Sequence, residues 1–213
     1  MTHQFHHATF AVTVDMALVG FQHDALAILL IQRKYPPFAG HWALPGGFVD
    51  PDEDLLPAAM RELHEESGLA PAWATQLQSY GAPGRDPRRH TISVAHLGIS
   101  VGTPPVTCSD ETPVVAWHPL YDLPALAFDH EHMVAAAQQM LQRGCHDVAL
   151  LSRFFADSFT PHDLHHLVCA ILRSNIPRDA FTAAVRAHPA LHACGDDHYR
   201  YIAAPYVPFV WPS

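Results

Sequence analysis

The stretch GFVDPDEDLLPAAMRELHEESGL, residues 47–69, decides how this chain is read. It holds seven carboxylates, Asp50, Asp52, Glu53, Asp54, Glu62, Glu65 and Glu66, out of 21 acids in 213 residues. The periodicity predicts a helix over 54–67, with Gly68 as its stop. Asp52 or Asp54 suits the cap and faces the helix dipole. At about 100° per residue, Leu55, Leu56, Ala59, Met60 and Leu63 form a buried stripe, and Glu62, Glu65 and Glu66 share the edge beside it. Carboxylates that close raise one another's pKa and cost stability unless cations stand among them. A solvated acidic face would carry basic partners at i,i+4, yet Arg61 is the only Lys or Arg between Gly47 and Leu69. Hard oxygen donors on a rigid element suit Mg²⁺ or Mn²⁺, with water and substrate phosphate completing an octahedron.

On the N-terminal side, residues 8–21 alternate and residues 25–33 form a compact apolar run, so the pattern predicts two strands around a turn at 22–24. Residues 35–40 read as a loop, and Trp42 opens a short strand that feeds a glycine turn at Gly46 and Gly47. On the C-terminal side, strands are expected over 74–80, 91–100 and 114–118, followed by a helix over 129–142. The last 65 or so residues change character. Thr160 and Pro161 form a helix start ahead of the apolar face Leu164, Leu167, Val168, Ile171 and Leu172. A second helix over 177–187 and strands at 191–193 and 199–203 complete the outline of a winged helix. The division falls between 1–147 and 148–213.

Bulk composition narrows the function. The chain is 49% hydrophobic and 15% charged, enough to bury a core, and its formal charge of −9 opposes casual binding to nucleic acid or anionic membrane. A phosphate ligand remains compatible if metal cations bridge it to the protein. Cys108, Cys145, Cys169 and Cys194 show no C-x-x-C spacing and read as reduced thiols. The N-terminus lacks a basic leader and no apolar run reaches the length of a membrane span, so a cytoplasmic location is expected. The 18 histidines include His3, His6 and His7, read as a polar terminus, and His162, His165 and His166, read as a solvated helix face rather than a zinc site.

The pattern Gly47-x5-Glu53-x7-Arg61-Glu62-Leu63-x-Glu65-Glu66-x-Gly68-Leu69 resembles the Nudix box at every defined position. Arg33, the run from Gly40 to Val49, Gly84-Arg85-Asp86-Pro87-Arg88, and the segment from Leu123 to His130 resemble one Nudix subgroup. That subgroup contains ADP-ribose pyrophosphatases and transcriptional regulators of NAD metabolism that join a Nudix-like domain to a winged helix. The resemblance implies an α/β fold, a Nudix α/β/α sandwich with a mixed sheet, followed by a small winged-helix α+β domain. It implies hydrolysis of a nucleoside diphosphate linked to another group. Glu62, Glu65, Glu66 and the Gly47 carbonyl would ligate Mg²⁺ or Mn²⁺, Glu53 would assist, and Arg61 would hold the carboxylates in place. The general base stays open between a box glutamate and a downstream loop acid, Asp110 or Glu111. Arg33, Arg85 and Arg88 are the expected substrate contacts, with Glu111 beside them; Arg89 is read as surface and Trp42 as core.

For the tail the resemblance implies DNA binding, and the charges oppose it. Residues 148–213 hold five Arg, five Asp and no Lys, whereas DNA affinity rests on neutralising phosphates with cations. The second helix carries only Arg178 and Arg186. The expected protein is therefore an enzyme with a structural or dimerising tail, with an ADP-ribose-responsive regulator as the alternative.

Overall fold

The computed structural model describes residues 9–109 and 112–202. Strands β1 (Ala11–Gln22) and β2 (Ala25–Gln32) form a hairpin whose two turn residues, His23 and Asp24, both take positive φ. Such a turn matches the right-handed twist of the flanking strands. With β3 (Trp42–Ala43), β4 (Gly46–Phe48), β5 (Trp73–Tyr80), β6 (Thr91–Ser100) and β7 (Val115–Pro119) they build one seven-stranded sheet, ordered β3-β2-β1-β6-β5. The β1–β6 pair is parallel and the others antiparallel, so the sheet is mixed. One edge of β1 is shared: Val19–Gln22 pairs with β2, while Thr13–Asp15 pairs with β4. Residues 46–48, expected as a glycine turn, are thus a strand. Gly46 and Gly47 let this backbone run close to β1 and to the acidic helix.

Strand alternation sends side chains to two cores. Val14, Met16, Leu18, Leu29 and Ile31 meet Ala58, Ala59 and Leu63 of α1 (Leu55–Ser67) on one face. Ala17, Val19, Ile28, Leu30, Leu97 and Ile99 meet Met133, Val134, Ala137 and Leu141 of α2 (His130–Gly144) on the other. This is the expected α/β/α arrangement. Helix α1 begins where Asp54 accepts the Leu55 N–H at 2.7 Å and ends at Gly68 with φ 72°, which settles the cap on Asp54.

The second core continues without a break into the tail. It takes in Val148, Leu150 and Leu151 of α3 (Val148–Leu151) and Phe154 of the 3₁₀ turn after it. Leu164, Leu167, Val168 and Ile171 of α4 (Pro161–Leu172) and Phe181 and Val185 of α5 (Arg178–Ala187) follow. A hairpin of β8 (Leu191–Gly195) and β9 (His198–Tyr201) closes the order helix, helix, hairpin that the sequence suggested. Thr160 caps α4 reciprocally with Asp163: its hydroxyl accepts the Asp163 N–H at 3.1 Å, and the Asp163 carboxylate accepts the Thr160 N–H at 2.9 Å.

The histidines of α4 correct the solvated-face expectation. His165 is buried and bonds the Ile176 carbonyl at 2.8 Å, because the apolar stripe of α4 leaves that side against α5. His166 pairs with Asp24 of the β1–β2 turn at 2.7 Å. His3, His6 and His7 lie outside the described residues. The four cysteines carry free thiols. Among the described residues, no helix is long and apolar enough to cross a membrane.

Candidate active site

The box carboxylates are organised by one arginine. Arg61 Nη2 and Nε reach both oxygens of Glu53 at 2.9–3.2 Å, and Nη1 reaches Glu62 at 2.8 Å and Glu65 at 3.3 Å. Nη2 also donates to the Phe48 carbonyl at 3.1 Å, which ties α1 to β4. The rigid guanidinium fork suits this multiple contact. Its hydrogen bonds hold the Glu53 carboxyl below the usual range. Burial raises the pKa of Glu62, opposed by Arg61. Glu53, Glu62 and Glu65 therefore share a counter-ion, as their crowding required.

Glu66 stands apart from that group. It accepts the Gly46 N–H at 2.9 Å and lines a cavity of about 190 Å³ between β1, β2, β4 and the start of α2. Burial pushes its pKa up to about 8; the Gly46 bond opposes this, while Glu62 and Asp15 add to it. Gly47 leaves room for the Glu62 carboxylate: a Cβ there would land on it and displace it. Among the described residues no three His, Cys, Asp or Glu side chains are already drawn together as metal ligands. The donor chemistry nevertheless fits a hard cation: Glu62 and Glu66 flank the β4 glycines, Glu65 is exposed on the same side of α1, and all are carboxylates.

The cavity also gathers cations. Arg33 lies in its wall, with its Nε donating to the Pro37 carbonyl at 2.9 Å and its guanidinium 4.7 Å from the centre of the Phe128 ring. Burial, then Arg88, lowers the pKa of Arg33, although it stays a cation at any working pH. Arg88 lines the cavity too, while its fork grips Asp86 at 2.7–3.3 Å. Arg85, expected to contact substrate, lines the cavity with its Nε and Nη2 already committed to Asp129, and its side chain is 5% exposed. The pair explains why Asp129, at the N-cap of α2, makes no capping bond to its own helix. Arg89 faces the Phe48 ring at 5.7 Å, outside the cavity lining. Trp42 is half-buried against the core, edge-on to His118.

Two residues of the site were given no role by the sequence reading, although His130 closes the Leu123–His130 segment that carries the resemblance. Asp15 is buried at the cavity floor; it accepts from the Ser93 hydroxyl and faces His130 Nε2 at 3.5 Å. His130 Nδ1 accepts the Leu44 N–H at 3.0 Å, so a neutral ring carries its proton on Nε2, toward Asp15. Burial lowers the His130 pKa, with Asp15 opposing. Glu111 and Asp110 lie outside the described residues. The segments flanking them are tied to the end of α1: the Thr107 N–H donates to Ser67 O at 2.8 Å, and the Thr112 hydroxyl to Glu66 O at 3.3 Å.

A family model described as the NUDIX domain matches residues 9–137. The ADP-ribose pyrophosphatase of Methanocaldococcus jannaschii is 43% identical over 124 residues, which cover 58% of this chain and 70% of that protein. The ADPR responsive transcriptional repressor NtrR of Acinetobacter baylyi is 33% identical over 175 residues, covering 80% and 70% respectively. The crystal structure of Shewanella oneidensis NrtR matches with a TM-score of 0.77 at 28% identity, over 94% of this chain and 98% of that one.

Proposed function

This chain belongs to the Nudix family, and on that premise we propose that it is a Mg²⁺- or Mn²⁺-dependent pyrophosphohydrolase acting on ADP-ribose. Water attacks one phosphorus of the diphosphate, the bridging P–O bond breaks, and the products are AMP and ribose 5-phosphate. The observation that carries this reading is the complete box beside a cavity that holds carboxylate at one wall and guanidinium at the other. Glu62, Glu65, Glu66 and the Gly47 carbonyl would hold the metal, which when bound neutralises phosphate charge and acidifies water. Arg61 keeps Glu53, Glu62 and Glu65 in place until then. Arg33 and Arg88 face the substrate phosphates, and Arg85, braced by Asp129, brings its charge to the same wall without a free fork. Asp15, steadied by Ser93 and His130, sets the polar floor. Chelator-sensitive AMP release from ADP-ribose, absent in Glu66→Gln, tests the assignment; equal turnover by the variant sinks it.

The likeness to NrtR across the tail favours a second reading, an ADP-ribose-responsive repressor with residues 148–213 as a DNA-binding winged helix and a homodimer as the working unit. Charge weighs against it, because Arg186 pairs with Asp197 at 2.9 Å and Arg200 with Asp157 at 2.6 Å, leaving few cations for phosphate. A salt-sensitive mobility shift with DNA from upstream of its own coding region would favour the repressor; no shift at low salt would remove it.

A further inference from the structure

A second hollow, about 420 Å³, lies where the C-terminal end of α2 meets α3 and the first residue of β5. It shares no lining residue with the cavity at the Nudix box. Half-buried Trp73 and Met140 and buried Leu150 supply its apolar wall, and the exposed Arg143 and Arg153 supply two guanidinium groups. Its single acid, Asp147, turns its carboxylate onto the Ala149 N–H at 2.9 Å to cap α3.

The two arginines are unusual in this chain. Lys and Arg number only 12 against 21 acids. Among the described residues, every Lys and Arg apart from Arg143, Arg153 and Arg178 has a hydrogen bond, an ion pair or an aromatic ring to face. Two of those three exceptions border the same hollow. An acidic protein that leaves two cations unpaired beside an indole and a thioether has the parts of a ligand site: apolar walls with a few convergent polar groups. Guanidinium forks suit carboxylate or phosphate, and indole and thioether suit a flat ring.

We propose that this hollow is a second binding site for a small aromatic anion, a planar ring bearing a phosphate or carboxylate and no larger than a mononucleotide. The ring lies against Trp73 and Met140, and the anion sits between Arg143 and Arg153. Because the walls come from both α2 and α3, occupancy fastens the two helices together.

The test is a titration of the ¹⁵N-labelled full chain, followed by NMR, with AMP in one arm and benzoate in the other. The site predicts saturable shifts of the Trp73 indole N–H and the Leu150 amide, with a Kd of about 1 mM or tighter in at least one arm. AMP alone would mark the site as one for phosphates, and benzoate as one for carboxylates. The double variant Arg143→Gln/Arg153→Gln should keep the wild-type spectrum elsewhere and weaken binding about tenfold or more. Trp73→Leu, which keeps both cations, should weaken it as well. Shifts confined to Gly46 and Gly47 would place the probe in the Nudix cavity alone and overturn the proposal. So would a linear, unsaturated response in both arms, or an unchanged Kd in the double variant. AMP release from ADP-ribose is read separately, so either reading can fail without the other.

Discussion

Metal binding should release a proton, and Glu66 supplies most of it. In the metal-free protein its pKa is about 8, against an ordinary value of 4.5, because burial disfavours the carboxylate. A cation requires that carboxylate. The ionised fraction is roughly one tenth at pH 7 and one hundredth at pH 6, so metal affinity should fall about tenfold for each pH unit below 8. Glu62 is shifted in the same direction by burial, with Arg61 opposing. Calorimetric titration with Mn²⁺ at pH 7, in buffers of different ionisation enthalpy, should show close to one proton released per ion, and Glu66→Gln should abolish the release. The folding linkage has the opposite sense. A raised acid stabilises the metal-free fold below pH 4.5, and that contribution is lost as pH rises through 8. Added metal should therefore raise the melting temperature more at pH 8.5 than at pH 6. An affinity that stays constant from pH 6 to 8.5, with buffer-independent heats, would refute the reasoning.

Other substitutions probe the rest of the site. Gly47→Ala forces the Glu62 carboxylate out of its place; because that end of the side chain can swing away, denaturant melts should move by about 1 kcal/mol or less while most AMP release is lost, and wild-type turnover would count against the displacement. Asp129→Ala strands the buried Arg85 charge and should cost about 3–5 kcal/mol, with Arg85→Ala/Asp129→Ala recovering part of it in a double-mutant cycle. His130→Phe leaves the buried Leu44 N–H without an acceptor; a loss of about 1–3 kcal/mol is expected, and a neutral result would mean that water replaces the ring. Arg61→Lys keeps the charge but not the fork that spans Glu53, Glu62 and Glu65, so activity should fall far more than melting temperature.

The acidic helix was legible because everything that makes it is local: the apolar stripe, Asp54 at its start, Gly68 at its end and the spacing of Glu62, Glu65 and Glu66. The role of Arg61 as their organiser came from the family resemblance, and its contacts to Glu53, Glu62 and Glu65 match it. Asp15 and His130 were not, since 115 positions separate them and only the β1 register and the N-terminal end of α2 bring them to one floor. Arg85 carried the right charge, but nothing nearby in the chain announced that Asp129, 44 residues on, would occupy its fork. The strand at Gly46–Phe48 was hidden by glycines that read as a turn, and α3 was too short to show a period. His165 looked solvated because polarity is a weak guide when a ring nitrogen can find a carbonyl inside.

Helix α2 starts beside one cavity, at Asp129 and His130, and ends beside the other, at Arg143 and Gly144. Its 15 residues span about 22 Å. A hydrogen-bonded rod of that length sets a fixed spacing between its first turn and its last. The two hollows are thus mounted at opposite ends of a single shaft.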